Sequence, residues 1–143
     1  MNKIIVSIFS VCIFLVSCST EPQPINFGKD LCAHCSMTIM DKKFGAEMVN
    51  SKGKAIKFDS GECMVGYINS ENKFEAVQHL IVNYNSEGEL IKAEDAFFLH
   101  GGNVNSPMGG NLATFKTKAD AEKIQGELGG DILNWNDVKN IKF

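Results

Sequence analysis

The sequence predicts an α+β fold built from two pseudo-duplicated ββαβ units with mostly antiparallel sheets. Three observations predict it. Short stretches of alternating apolar and polar side chains recur between Gly- and Asn-rich turns, as half-buried strands do. The order strand, strand, helix, strand occurs twice. The triplets Phe58-Asp59-Ser60 and Phe115-Lys116-Thr117 stand 57 residues apart, and each precedes a helical stretch.

In the first unit, FGAEMVNS and KAIKFDS read as two strands and GECMVGYINSENKF as the helix. Asp59 with Glu62 offers an N-cap and an acidic third helical position. Met64, Tyr67 and Ile68 are its expected inward side chains, and HLIVNYN is the closing strand. In the second unit, AFFLHGG and GNLATFKT are the strands. Thr117 caps the next helix with Asp120 at its third position. Ala121, Ile124 and Leu128 form its apolar stripe, Gly129-Gly130 ends it, and ILNWNDVK is the last strand.

The N-terminal region has a different character. Residues 1–17 carry Lys3 and then an apolar run, the pattern of a secretory signal. The run ends Leu15-Val16-Ser17-Cys18, which is similar to a bacterial lipobox, so Cys18 is the expected lipidated first residue of the mature chain. Residues 18–29 hold two of the three prolines and read as a lipid-anchored tether, leaving residues 30–143 as one domain. Ser19 follows Cys18, with no Asp there to signal inner-membrane retention. The expected location is therefore the periplasmic face of the outer membrane, with the inner membrane as the alternative. The whole chain has a formal net charge of −3, which argues against nucleic acid as a partner.

The cysteines narrow the chemistry. Of five, Cys12 lies in the signal and Cys18 takes the lipid, which leaves Cys32, Cys35 and Cys63. An odd number of thiols cannot all pair within one chain. Cys35-Ser36-Met37, read as extended backbone, would put a thiolate and a thioether on one face. Soft sulfur donors select Cu(I), whereas zinc prefers thiolate, imidazole and carboxylate. The loop GGNVNSPMGG holds one large apolar side chain, Met108, which could complete an all-sulfur site or plug a gap at the loop base. His100, just before that loop, is a possible nitrogen ligand or a plain strand-end histidine.

Cys32 and Cys35 have the C-x-x-C spacing. One reading is a thiol–disulfide oxidoreductase pair, although no helix is expected to start there. Another is a structural zinc knuckle completed by Cys63 at a helix start, with His34, Asp59 or Asp41 as fourth ligand. For Cys63 alone, the plainer explanation is a small buried apolar residue. Met40, Met48 and Met64 are expected to pack in the core or at its rim, and His79 to sit at a strand edge. No Ser-His-Asp arrangement, phosphate-binding glycine loop or facing carboxylate pair points to an enzyme.

Together CAHCSM, FDSGECM, SPMGG and ELGGDILNW, with the lipobox, resemble the NosL family across the mature domain. That resemblance implies a Cu(I)-binding lipoprotein that passes copper to nitrous oxide reductase alongside a membrane copper-transport complex. It also implies two ββαβ units, a fold related to that of organomercurial lyase. The family's copper ligands fall here on Cys35, Met37 and Met108. Ser36 departs from the family's usual Gly.

Overall fold

The structure, a computed structural model, describes residues 19–71 and 73–143. The expected signal segment and Cys18 lie outside the described residues. Two antiparallel sheets carry the fold. The first has the order β2-β1-β3-β4, from β1 (Ala46–Asn50), β2 (Ala55–Phe58), β3 (Ala76–Val82) and β4 (Leu90–Lys92). The second has the order β6-β5-β7, from β5 (Phe97–His100), β6 (Leu112–Phe115) and β7 (Asp131–Leu133). Helix α1 (Gly61–Ile68) follows β2, and α2 (Lys118–Leu128) follows β6.

The repeat is therefore topological as well as sequential. In each half the first strand is central, its hairpin partner lies on one side, and the strand after the helix lies on the other. Strand β4, the 3-10 turn that follows it and the short helix α3 (Trp135–Val138) have no counterpart in the repeat.

Alternation explains the packing. Ala46 and Met48 pair with Phe58, Ile81, Ile56 and His79 across the first sheet. Ala46, Met48, Phe58 and Ile81 belong to the main core with Met64 and Val65 of α1. The same core takes Phe98, Leu112, Trp135 and Val138 from the second half, so the two halves share one interior. Each of the larger of these side chains, fully buried, contributes about 1.5–3 kcal/mol. A smaller cluster packs Ala121, Ile124 and Leu128 of α2 on Leu99, Ala113 and Phe115. The α2 stripe is where the sequence puts it.

Four expectations need correction. Helix α1 is capped by Ser60, whose hydroxyl accepts from the Cys63 amide, and not by Asp59. The ILNWNDVK stretch stops being a strand at Leu133, because Asn134 and Asp137 form a reciprocal capping box that starts α3. His79 lies in β3, a strand paired on both sides, where its Nδ1 meets Glu94 at 2.9 Å and its ring packs on Trp135. The supposed tether is docked. The Gln23 amide donates to Glu47 Oε1 at 2.8 Å, Lys57 Nζ reaches the Pro24 carbonyl at 2.8 Å, and Ile25 is buried. Residues 20–29 thus cover the sheet face that carries Glu47 and Lys57, where the sequence suggested a free spacer.

Candidate metal centre

A tight loop presents the first two thiols. Leu31 and Thr38 form an isolated antiparallel bridge, and inside it the Cys32 amide donates to the Met37 carbonyl at 2.8 Å. The Ser36 amide closes the turn on the Cys32 carbonyl at 2.9 Å, and the Ala33 amide ties the loop to Lys57 of β2. Buried Cys32 and Ile39 anchor its two ends. Ser36 has φ +63°, the left-handed region that glycine adopts freely and other residues reach at a cost of about 1 kcal/mol. A glycine, which the family resemblance leads one to expect here, would hold this conformation without that cost.

This kink also changes the expected presentation of Cys35 and Met37. The segment is not extended. Cys35 is half-buried and faces inward, whereas Met37 is 56 % exposed. Cys63 comes from the first turn of α1. The sulfur atoms of Cys32, Cys35 and Cys63 all lie within 4.8 Å of one another, and among the described residues no His, Asp or Glu donor joins them within that span.

The trio is electrostatically unequal. The Cys63 thiol donates toward Cys32, and the backbone amides of Cys35, Asp59 and His34 also point at that sulfur. The Cys35 amide lies 3.5 Å from it. These donors pull Cys32 down to about 4 despite its burial, so the first proton lost from the trio leaves a thiolate there. The Cys32 thiolate in turn pushes Cys63 far above the ordinary thiol range, with burial adding to the effect. Burial pushes Cys35 up as well, and burial followed by the Cys32 charge raises Asp59.

Met108 lies in a turn closed by the Gly109 amide on the Ser106 carbonyl at 3.0 Å. It is 42 % exposed, so it does not plug a gap. Met108, Cys63, His34 and His100 line one cavity of about 470 Å³, with Glu62 in its wall and Phe143 across it. His34 packs over Gly66, where an added Cβ would come within 2.9 Å of its Nε2, and His100 meets the Phe143 ring edge-on. Met37 lies in a neighbouring hollow with Pro107 and Met40. Met40, expected to pack, is 66 % exposed. Met48 and Met64 are buried in the core.

Two supporting residues escaped the sequence reading. Glu62 is not part of a cap: its Oε1 accepts from the Ser106 hydroxyl and, at 3.1 Å, from the Leu112 amide. The Ser106 hydroxyl also accepts from the Asn111 amide at 2.9 Å. The one available signal was a carboxylate beside Cys63 and a serine beside Pro107-Met108, which shows its meaning only when the two segments meet.

This geometry, two inward thiols from a kinked loop and one from a helix start, lies in a chain whose residues 24–142 match the NosL family model. The chain belongs to the NosL family. The copper-binding lipoprotein NosL of Stutzerimonas stutzeri is 26 % identical to it over 125 residues, covering 81 % of this chain and 66 % of that protein. The chain thus spans just under two thirds of the length of that relative. The crystal structure of the copper chaperone NosL from Shewanella denitrificans has a TM-score of 0.69 and 20 % identity to it, covering 83 % of this chain and 96 % of that one. At that identity the likeness is one of fold, and the NosL fold is the α+β arrangement of antiparallel sheets described above.

Proposed function

We propose that this chain is a Cu(I)-binding metallochaperone, lipid-anchored through Cys18 at the periplasmic face of the outer membrane. It delivers copper to nitrous oxide reductase alongside a membrane copper-transport complex. The observation that carries the reading is an all-sulfur donor set at one end of the fold. Three thiols converge with no nitrogen or oxygen donor in the group, beside two exposed thioethers. Three soft donors suit Cu(I), and a structural zinc site asks for four. The copper named in both relatives supports copper as the metal.

Exposure supports carriage over catalysis. Of the ligands the family resemblance implies, Met37 and Met108 are exposed and Cys35 is half-buried, so an acceptor's own ligands can approach them, whereas Cys32 and Cys63 are buried. Five of the six exposed large apolar residues among those described, Leu31, Met37, Met40, Met108 and Phe143, lie on the thiol loop or around the adjoining cavity, as a surface for partner docking would require. Thiol–disulfide exchange through Cys32 and Cys35 draws support from the low pKa of Cys32. Cys32 is only 2 % exposed, however, which keeps it from a substrate disulfide.

The test is Cu(I) titration of the reduced protein against a competing chelator, followed by mixing with metal-free nitrous oxide reductase. Copper uptake and its appearance in the enzyme are expected. Zinc binding alone, with no copper uptake under reducing conditions, would overturn the reading. Radiolabelled fatty acid incorporated into wild type but not into Cys18→Ala tests the anchor, and membrane fractionation tests its location.

A further inference from the structure

We propose that the docked N-terminal strap sets the orientation of the domain on its membrane: the turn between β1 and β2 rests on the lipid headgroups, and the thiol loop is held at the end away from them. The proposal rests on lipidation at Cys18, part of the function proposed above, and adds to it which face meets the bilayer.

Strand register defines two ends of the first sheet. Asn50 pairs with Ala76, so the turn after β1 and the residues just before β3 share one end. Ala46 pairs with Phe58 and Ile81, so the approach to β1, the close of β3 and the start of α1 share the other. The strap runs from the first end to the second. Ser19 lies against the β1–β2 turn, where a Cβ added at Gly53 would collide with its carbonyl. Gln78, near the start of β3, donates through Nε2 to the Thr20 carbonyl at 2.9 Å. Further along, the Gln23 amide reaches Glu47. Ile25 arrives at the second end, where a Cβ added at Gly45 would lie 3.1 Å from its Cδ1. The Gly28 amide then donates to the Ile39 carbonyl at 2.8 Å, and Asp30 pairs with Lys57 at 2.6 Å, which delivers the chain into the Cys32 loop.

Placement follows from this path. Cys18 is one peptide step, about 3.8 Å, from a residue fixed against the sheet, so the bilayer surface lies at the Gly53 end. Cys63, in the first turn of α1, and the Cys32 loop lie at the opposite end. The five residues of β1 alone separate the two ends by about 13 Å. Surface character agrees. Of the exposed large apolar residues among those described, only Val77 lies near the anchored end. That end exposes Lys52, Lys54 and Lys73 beside Glu21 and Glu75, a polar and slightly basic surface suited to headgroups. An acceptor arriving from the aqueous side meets the sulfur end without competing with the bilayer.

The test places the full lipidated chain, isotope-labelled, in phosphatidylethanolamine/phosphatidylglycerol nanodiscs that carry a gadolinium-chelate headgroup, and measures paramagnetic relaxation of the backbone amides. The effect falls steeply with distance, so it is expected to be at least about tenfold stronger at Lys52, Gly53 and Lys54 than at Ser36 and Gly109. A Gly/Ser insert of about ten residues between Cys18 and Ser19, spanning about 17 Å on average, leaves the strap docked and should bring the two ends level. Equal relaxation at both ends of the wild-type chain, or a bias toward Ser36 and Gly109, overturns the orientation. A bias that survives the insert overturns the role of the strap in setting it. Failure of the wild-type chain to enter the nanodiscs sinks instead the lipid anchor proposed above.

Discussion

Glu62 and Ser106 join the two halves of the candidate site. Glu62 stands one residue before Cys63 in α1, and Ser106 two residues before Met108. The Ser106 hydroxyl donates to Glu62 Oε1, which also takes the Leu112 amide at 3.1 Å. The helix that carries a buried thiol is thereby tied to the loop that carries an exposed thioether.

Glu62→Ala is therefore expected to loosen residues 106–112 and to destabilise the fold by about 1–3 kcal/mol, the penalty for stranding buried hydrogen-bonding groups. Denaturant unfolding gives the magnitude. Hydrogen exchange should speed up at the Leu112 amide and stay unchanged at the Asp120 amide, which the Thr117 hydroxyl caps at the start of α2. Equal exchange at Leu112 in both proteins would show that the tie is dispensable.

Gly110 sets the distance between the same two segments. A Cβ there would lie 2.4 Å from Glu62 Cγ and 2.8 Å from the Phe143 ring. Gly110→Ala should cost about 1–3 kcal/mol from overpacking, read as a lower unfolding midpoint. A variant as stable as wild type would mean the cavity wall gives way freely.

At Ser36 the expectation runs the other way. A side chain held at φ +63° is strained, so Ser36→Gly should stabilise by up to about 1 kcal/mol, offset in part by the greater freedom of glycine in the unfolded chain. Thermal melts of the metal-free protein check the sign. A loss of stability would show that the serine makes a compensating interaction.

The docked N-terminal strap gives a pH prediction. Burial raises Glu47 above its ordinary 4.5, while the Gln23 amide and Lys57 oppose the rise and Asp30 adds to it. The folded chain holds this proton more tightly than the unfolded chain does. The contribution of Glu47 is therefore fully present below about 4.5 and is lost as pH rises through the raised value. Glu47→Gln, which has no proton to lose, should gain on wild type between about pH 4 and about pH 7. Urea midpoints at both ends measure it, and a constant difference across that window would contradict the assignment.

How much of this was legible in the sequence varied with the range of the forces involved. Local signals read well. Thr117 accepts from the Asp120 amide as expected, Gly129 ends α2 at φ +73°, and the doubled strand order emerges as two sheets of like topology. Errors came where a distant partner or a single dihedral decides. Asp59 looked like a cap because its neighbour Ser60 offers the same chemistry one residue on. The Pro-containing segment looked like a tether because polar composition does not reveal a sheet face waiting for cover. Cys35-Ser36-Met37 looked extended because nothing in the letters marks a serine with positive φ. The convergence of Cys63 on Cys32 and Cys35 was available only as one of several readings, since their closeness is a property of the closed fold.

Cys35 belongs both to the converging thiol trio and to the ligand set with Met37 and Met108 that the proposed function uses, so the most direct measurement is the Cu(I) affinity of Cys35→Ser in competition with a chelator. Changes around a metal's direct ligands typically cost 10–100-fold, so loss of the shared ligand is expected to weaken binding by more than about a hundredfold. The fold should survive, because the side chain is only half-buried and caps no element. A folded Cys35→Ser protein that binds Cu(I) as tightly as wild type would contradict the account.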